Sequence, residues 1–263
     1  MCLILLAIES HPVYKLIFAA NRDEFYDRPT SQAAFWDESP GLLAGRDLRA
    51  GGTWLGITTS GKIAAITNYR DPASLKAHAP SRGKLVSDFL SGRASAPEYL
   101  EMLAQKGDEY NGFNLIIGEM NDLYWYSNRG KGWSNLAPQI YGLSNHLLDS
   151  PWPKVTTGKD GLRDLLSTQE KLSPEAIFGI LSDRSAPDDN RLPDTGVGLE
   201  LERMLSPLFI TSPDYGTRSS TILLVDRNDR AMFIERTFNS TPDHPTTIDY
   251  QFRITAQVIS LST

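Results

Sequence analysis

Apolar residues fall in short alternating or continuous blocks along most of this chain, at strand rather than helix length. Residues 3–8 and 14–20 are two such blocks, and Ser10-His11-Pro12 between them predicts an antiparallel hairpin. The second block runs into Asn21-Arg22-Asp23-Glu24, four polar residues with no turn glycine, which the hairpin carries back towards the start of the first strand. Residues 28–40 read as irregular, packed down by Phe35 and Trp36. Gly51-Gly52 precedes a strand through Trp54-Leu55, as close backbone approach or positive φ would require. Ser60-Gly61-Lys62 turns the chain into a strand over 63–68 that ends at Asn68. Helical spacing then appears twice: at 82–90 after Ser81, with Leu85, Val86 and Phe89 on one face, and after Ser95, with Pro97 early and Leu100, Leu103 and Ala104 apolar. Residues 113–118 and 123–126 form a hairpin around Asn121-Asp122, and 139–144 is a strand ending at Asn145. Residues 152–166 and 174–181 read as helices, and 183–198 as a long polar loop, a flap over a pocket. Residues 218–226 and 230–238 pair around Asn228-Asp229, and 252–254 adds an edge strand.

Strands and helices alternate in groups, and the strands come as hairpins. That order predicts an α+β protein of antiparallel sheets covered by helices, not a doubly wound parallel sheet. With 263 residues, 40% hydrophobic and 22% charged, and no repeat or linker, the chain reads as a single domain over 1–263. A net charge of −6 without a Lys/Arg run argues against a nucleic-acid partner. The one cysteine excludes an internal disulfide and fits a reducing compartment. The opening apolar run is too short for a membrane span, and Glu9 to Pro12 end it without a basic leader. A cytoplasmic protein with no integral membrane segment is the expectation. His11, His78, His146 and His244 are far apart, so no metal site is expected.

The cysteine is Cys2, directly behind the initiator methionine. Methionine is normally trimmed before so small a side chain, which would leave a thiol and an α-amine on one residue. The amine titrates near ~8 and the thiol near ~8.5, so the amine can take the thiol's proton near neutral pH. Position alone also suits a small apolar residue in a buried strand.

The downstream motifs favour chemistry. Asn21-Arg22-Asp23-Glu24, Gly45-Arg46-Asp47, Gly51-Gly52-Thr53-Trp54-Leu55-Gly56 and Thr67-Asn68-Tyr69-Arg70-Asp71-Pro72 resemble the NRDE family, the transport-and-Golgi-organisation-type proteins, from Cys2 through Arg218. The resemblance implies the N-terminal-nucleophile (Ntn) hydrolase fold, a four-layer αββα sandwich. More distantly the chain is similar to the cysteine branch of that fold, the bile-salt hydrolase and penicillin V acylase group. That similarity implies a nucleophile at Cys2, an amine-holding aspartate at Asp23, an oxyanion-hole asparagine at Asn68, a second site asparagine at Asn145 and a strand-borne arginine at Arg218. Arg22, Glu24, Trp54, Tyr69 and His146 are candidate substrate-binding residues beside them. Ala20 stands where the acylases carry an arginine, and Arg22 is the nearby replacement.

Two readings follow. The first is an amidohydrolase or acyltransferase that acts on a small non-peptide amide or acyl compound and requires no cofactor. The second is a haem or acyl-lipid carrier that uses the same pocket without turnover, as the family resemblance implies for some members. The Cys2, Asp23, Asn68, Asn145 and Arg218 set favours the first. A homo-oligomer is left open.

Overall fold

A computed structural model describes residues 2–238 and 245–255; Met1 and His244 lie outside the described residues. The predicted first hairpin pairs β1 (Cys2–Ile8) with β2 (Tyr14–Phe25), with Cys2 opposite Arg22 and Ile8 opposite Leu16. β2 does not stop at Ala20. It carries Asn21-Arg22-Asp23-Glu24 as strand, because β11 pairs the whole stretch, β1 pairs Asn21 and Arg22, and the Asn21 and Asp23 side chains find buried partners. On its other side β2 pairs with β11 (Tyr215–Asp226), which continues to β12 (Arg230–Thr237) and β13 (Thr246–Arg253). β10 (Ile140–Leu143) closes the free edge of β1, so the first sheet runs β10-β1-β2-β11-β12-β13, and every recorded pairing in it is antiparallel.

The second sheet holds β3 (Thr30–Trp36), β4 (Ser39–Asp47), β5 (Leu55–Thr58), β6 (Lys62–Asn68), β7 (Phe113–Glu119), β8 (Asp122–Ser127) and β9 (Gly132–Asn135), in sequence order. β3 and β4 occupy the stretch expected to be irregular. The register of β3 slips between Ser31 and Ala34, a break that weakens alternation in the sequence while the chain still pairs. β9 is exposed along its whole length, so no burial pattern marked it.

Helices cover both outer faces. α1 (Gly83–Ser91) and α2 (Ala96–Lys106) lie on the second sheet, where Leu85, Phe89, Leu100 and Leu103 pack on Leu42, Ala64 and Leu115. The expected Ser95 cap is a full capping box with Glu98, whereas no side chain caps α1 and Arg82 occupies the position before it. α3 (Pro153–Thr168) and α4 (Pro174–Leu181) lie on the first sheet, with Val155, Leu162, Ile177 and Phe178 against Leu3, Leu5, Ile17 and Ile222. Between the sheets, Leu6, Phe18 and Leu223 meet Ile57 and Ile63. Burying each such side chain contributes roughly 1.5–3 kcal/mol. The result is the expected α+β arrangement, a four-layer αββα sandwich. Among the described residues, no helix is long and apolar enough to cross a membrane.

Candidate functional site

The site forms where β1 begins. Residues on one face of a strand recur every second position, so Cys2 shares the inter-sheet face with Ile4 and Leu6, and Arg22 shares it with Ala20 and Phe18. Cys2 and Arg22 therefore emerge side by side at one end of the sandwich. There they line a cleft of about 340 Å³ together with Asp23, Glu24, Asn68 and Trp54. Arg22 is 6% exposed, and its guanidinium lies 4.2 Å from the centre of the Trp54 ring. Trp54 reaches that place because Gly45 has no side chain: a Cβ there would sit 2.4 Å from the indole. The Gly45-Arg46-Asp47 and Gly52-Thr53-Trp54 motifs are thus two halves of one packing arrangement.

Asp23 is buried, and its Oδ1 accepts a 2.8 Å bond from the Thr217 hydroxyl. Burial pushes the Asp23 carboxyl up, and the Lys154 ammonium opposes that. Lys154, on α3, is itself buried; its Nζ donates to the Leu205 carbonyl at 3.0 Å, and burial lowers its pKa to about 8 against the pull of Asp23. Burial likewise pushes the half-buried Cys2 thiol up, while the Arg22 guanidinium and the backbone N–H of Asp23 favour the thiolate. A second buried pair lies nearby. Arg70 meets Glu202 at 2.5 Å, and Glu202 also accepts from the Thr195 hydroxyl and backbone N–H. Glu202 sits on a short helix, α5 (Leu199–Met204), which had been absent from the expectation.

The structure brings some of the sequence-derived residues together and separates others. Cys2, Arg22, Asp23, Glu24, Trp54 and Asn68 line one cleft. Asn145 is not among the side chains lining it. Fully buried, it donates from Nδ2 to the Asn68 carbonyl at 2.8 Å and accepts the Arg70 N–H on its own carbonyl, so it fastens the end of β10 to the end of β6. Tyr69 and His146 also lie off the cleft wall, their rings in tilted contact with centres 5.0 Å apart and His146 bonded to Ser150. Arg218 is the extra residue of a bulge in β11, between Thr217 opposite Asp23 and Ser219 opposite Arg22. The bulge turns its guanidinium onto the carbonyls of Phe25 and Arg28, away from Cys2. The 183–198 loop is no flap over this cleft: Ser185, Ala186, Pro187 and Arg191 border a separate cavity of about 140 Å³ with Lys154.

Sequence reasoning missed Lys154, Arg82 and Glu202. Lys154 and Glu202 read as ordinary helix-surface charges, and only their 3% exposure distinguishes them. Arg82 borders the cleft just ahead of α1 and carried no motif signal of its own beyond following the Ser81 expected as a cap.

Two antiparallel sheets packed face to face between helical layers are the arrangement of the Ntn-hydrolase fold. The conjugated bile acid hydrolase of Clostridium perfringens, solved as a mutant, matches it with a TM-score of 0.53 over 97% of this chain and 98% of that one, at 8% identity. The N-acylethanolamine-hydrolyzing acid amidase ortholog of Caenorhabditis elegans matches with a TM-score of 0.50 over 85% and 92%, at 12% identity. Such identities speak for the fold alone. The chain belongs to the Transport and Golgi organisation 2 family, whose model matches residues 1–240. The Transport and Golgi organization protein 2 homolog of Bos taurus is 38% identical over 97% of this chain and 99% of its own length. The Drosophila melanogaster protein of that name is 32% identical over 93% and 94%.

Proposed function

We propose that this protein is an Ntn-type cysteine amidohydrolase or acyltransferase acting on a small non-peptide amide or acyl compound. The observation that carries the reading is the convergence of Cys2, Arg22, Asp23 and Asn68 on one cleft. Once Met1 is removed, the Cys2 α-amine takes the thiol proton, and the thiolate attacks the substrate carbonyl. The side-chain amide of Asn68 donates to the resulting oxyanion, a contact worth roughly 3 kcal/mol in a dry site. Asp23, held by Thr217, fixes the position of the amine. Collapse of the intermediate expels the leaving amine with the proton and leaves a thioester on Cys2. Water, or a second acceptor nucleophile, then attacks that thioester and restores the thiol. No step calls for a cofactor.

One observation favours the alternative of non-enzymatic haem or acyl-lipid carriage in the same cleft. Burial drives the Cys2 thiol towards its neutral form, the wrong direction for a nucleophile, whereas a carrier that holds its ligand through the cleft walls needs no thiolate.

Intact mass of protein from cells gives the state of the amine, and Cys2→Ser separates the two readings. An enzyme loses turnover of acyl-amides by roughly 10³-fold or more while still binding ligand, since a poor nucleophile has replaced the thiolate. A thiolate-ligated haem carrier changes its haem spectrum and weakens. Retained Met1, or turnover indifferent to Cys2→Ser, rules out the amine-assisted mechanism.

A further inference from the structure

Charges around the cleft are unequally matched. Arg22, Arg28, Arg49 and Arg82 line it, as do Asp23, Glu24 and Asp47. Each carboxylate is engaged within the protein. Asp47 takes Arg28 Nε at 2.6 Å and the backbone N–H groups of Arg49 and Ala50. Glu24 accepts from the Phe25 N–H and lies 3.8 Å from Arg28. Asp23 has Thr217 and the Lys154 charge. The guanidiniums are less occupied. Arg82 donates from Nη1 to the Gly112 carbonyl, and no ion pair joins it to a carboxylate among the described residues. Arg22 approaches Asp47 only to 3.9 Å, and its buried Nη1 has no hydrogen-bond partner among the described residues. A buried cationic donor left in that state is costly unless something else satisfies it.

The same wall carries the start of α1. Ser81, Arg82 and Gly83 border the cleft, and no side chain caps this nine-residue helix. The Lys84 and Leu85 N–H groups turn back onto the Ser81 and Arg82 carbonyls, and the positive end of the helix dipole is left at the cleft. Two glycines bring it there. A Cβ on Gly52 would lie 2.4 Å from the Gly83 carbonyl carbon, so only backbone against backbone lets the helix start at the cleft. The Thr53 N–H then ties to the Gly83 carbonyl at 3.1 Å.

We propose that the N-terminus of α1, Arg82 and the unpaired Nη1 of Arg22 form an oxyanion subsite. It takes a phosphate or carboxylate group on the molecule whose acyl carbonyl reacts at Cys2, and so rests on the reading of this cleft as the reaction site. Guanidinium forks and helix N-termini are both matched to such oxygens, and they converge here from two elements. A cleft of about 340 Å³ holds a small molecule bearing both groups.

The test uses inorganic phosphate and acetate as probes, with chloride at matched ionic strength as control. The readouts are the rate of Cys2 alkylation by neutral iodoacetamide and the thermal midpoint. Wild type should show saturable protection and a raised midpoint with phosphate, with acetate, or with both, and the pattern identifies which group the subsite prefers. Arg82→Gln should weaken that binding about tenfold or more, and Arg82→Lys, which keeps the charge and can still reach Gly112, should recover part of it. Neither anion acting beyond chloride, or Arg82→Gln binding both as wild type does, would overturn the subsite. Cys2-dependent turnover of an uncharged acyl-amide is measured separately, so failure of the subsite is distinct from failure of the enzymatic reading.

Discussion

At the residue scale, one bulge keeps a second arginine from lining up beside the nucleophile. The β1–β2 register sets Arg22 opposite Cys2; without the bulge Arg218 would stand opposite Arg22, whereas with it Ser219 does and Arg218 braces the turn after β2. A second residue-scale effect lies deeper between the sheets. Glu235 on β12 is 1% exposed, accepts the Ala33 N–H of β3 at 2.8 Å, and has the Thr221 hydroxyl 3.3 Å from its other oxygen. Burial raises its pKa to about 7 from 4.5, although both hydrogen bonds and Arg22 oppose the shift. A carboxyl raised in the fold binds more protons folded than unfolded, so stability falls as pH rises from 4.5 towards 7. Below that window the carboxyl is neutral in both states and costs nothing; above it the cost is complete, roughly 3 kcal/mol. Glu235→Gln keeps the shape and the Ala33 bond and has no charge to bury. Urea unfolding at pH 5 and pH 8 should therefore show wild type losing stability relative to Glu235→Gln by an amount of that order. Equal pH dependence in the two proteins would mean that Glu235 ionises without penalty.

At the scale of elements, the approach of the chain before β5 to the start of α1 sets the geometry of the cleft wall. The Gly52 position tolerates no side chain, because the atoms a Cβ would meet are the backbone of Gly83 and Lys84 and cannot rotate away. Gly52→Ala should destabilise the protein by about 1–3 kcal/mol, the usual range for overpacking. It should also displace α1 from the cleft. Chemical denaturation measures the first effect and Cys2 alkylation kinetics the second. A neutral Gly52→Ala would show that this contact can relax without cost.

On the scale of the whole molecule, two sheets packed face to face must also be registered end to end for β1 and β6 to share a site. Asn145 and its neighbours supply that registration. Ser144 donates to the Cys2 carbonyl and accepts Thr67 on its own carbonyl, while Asn145 bonds both Asn68 and Arg70 backbone. Asn145→Ala should cost roughly 1–3 kcal/mol of stability by removing a buried side chain's bonds to Asn68 and Ser144. Any turnover should fall along with it as Asn68 shifts. Full stability with lost activity would return Asn145 to a direct role at the cleft, the role its similarity to the acylases implied.

Much of this was legible along the chain. Hairpin periodicity and the apolar faces of α1 to α4 were set by local pattern, because alternation and helical spacing follow from side-chain direction alone. Cys2 drew notice by its position and Asn21 to Glu24 by the hairpin that returns them to it, while Trp54 and Asn68 were singled out through the resemblance to the NRDE family and the acylases. The rest depended on partners far away in sequence. β2 extends through four polar residues because Asn21 finds the carbonyls of Leu181 and Leu208, and Asp23 finds Thr217. β3 and β9 are strands by edge pairing rather than by burial. Lys154 and Glu202 differ from surface charges only through what the fold places over them. Desolvation and cross-sheet pairing are properties of assembled surfaces, so only the tertiary structure could decide which charges are buried, which arginine faces the thiol, and which of two asparagines reaches the cleft.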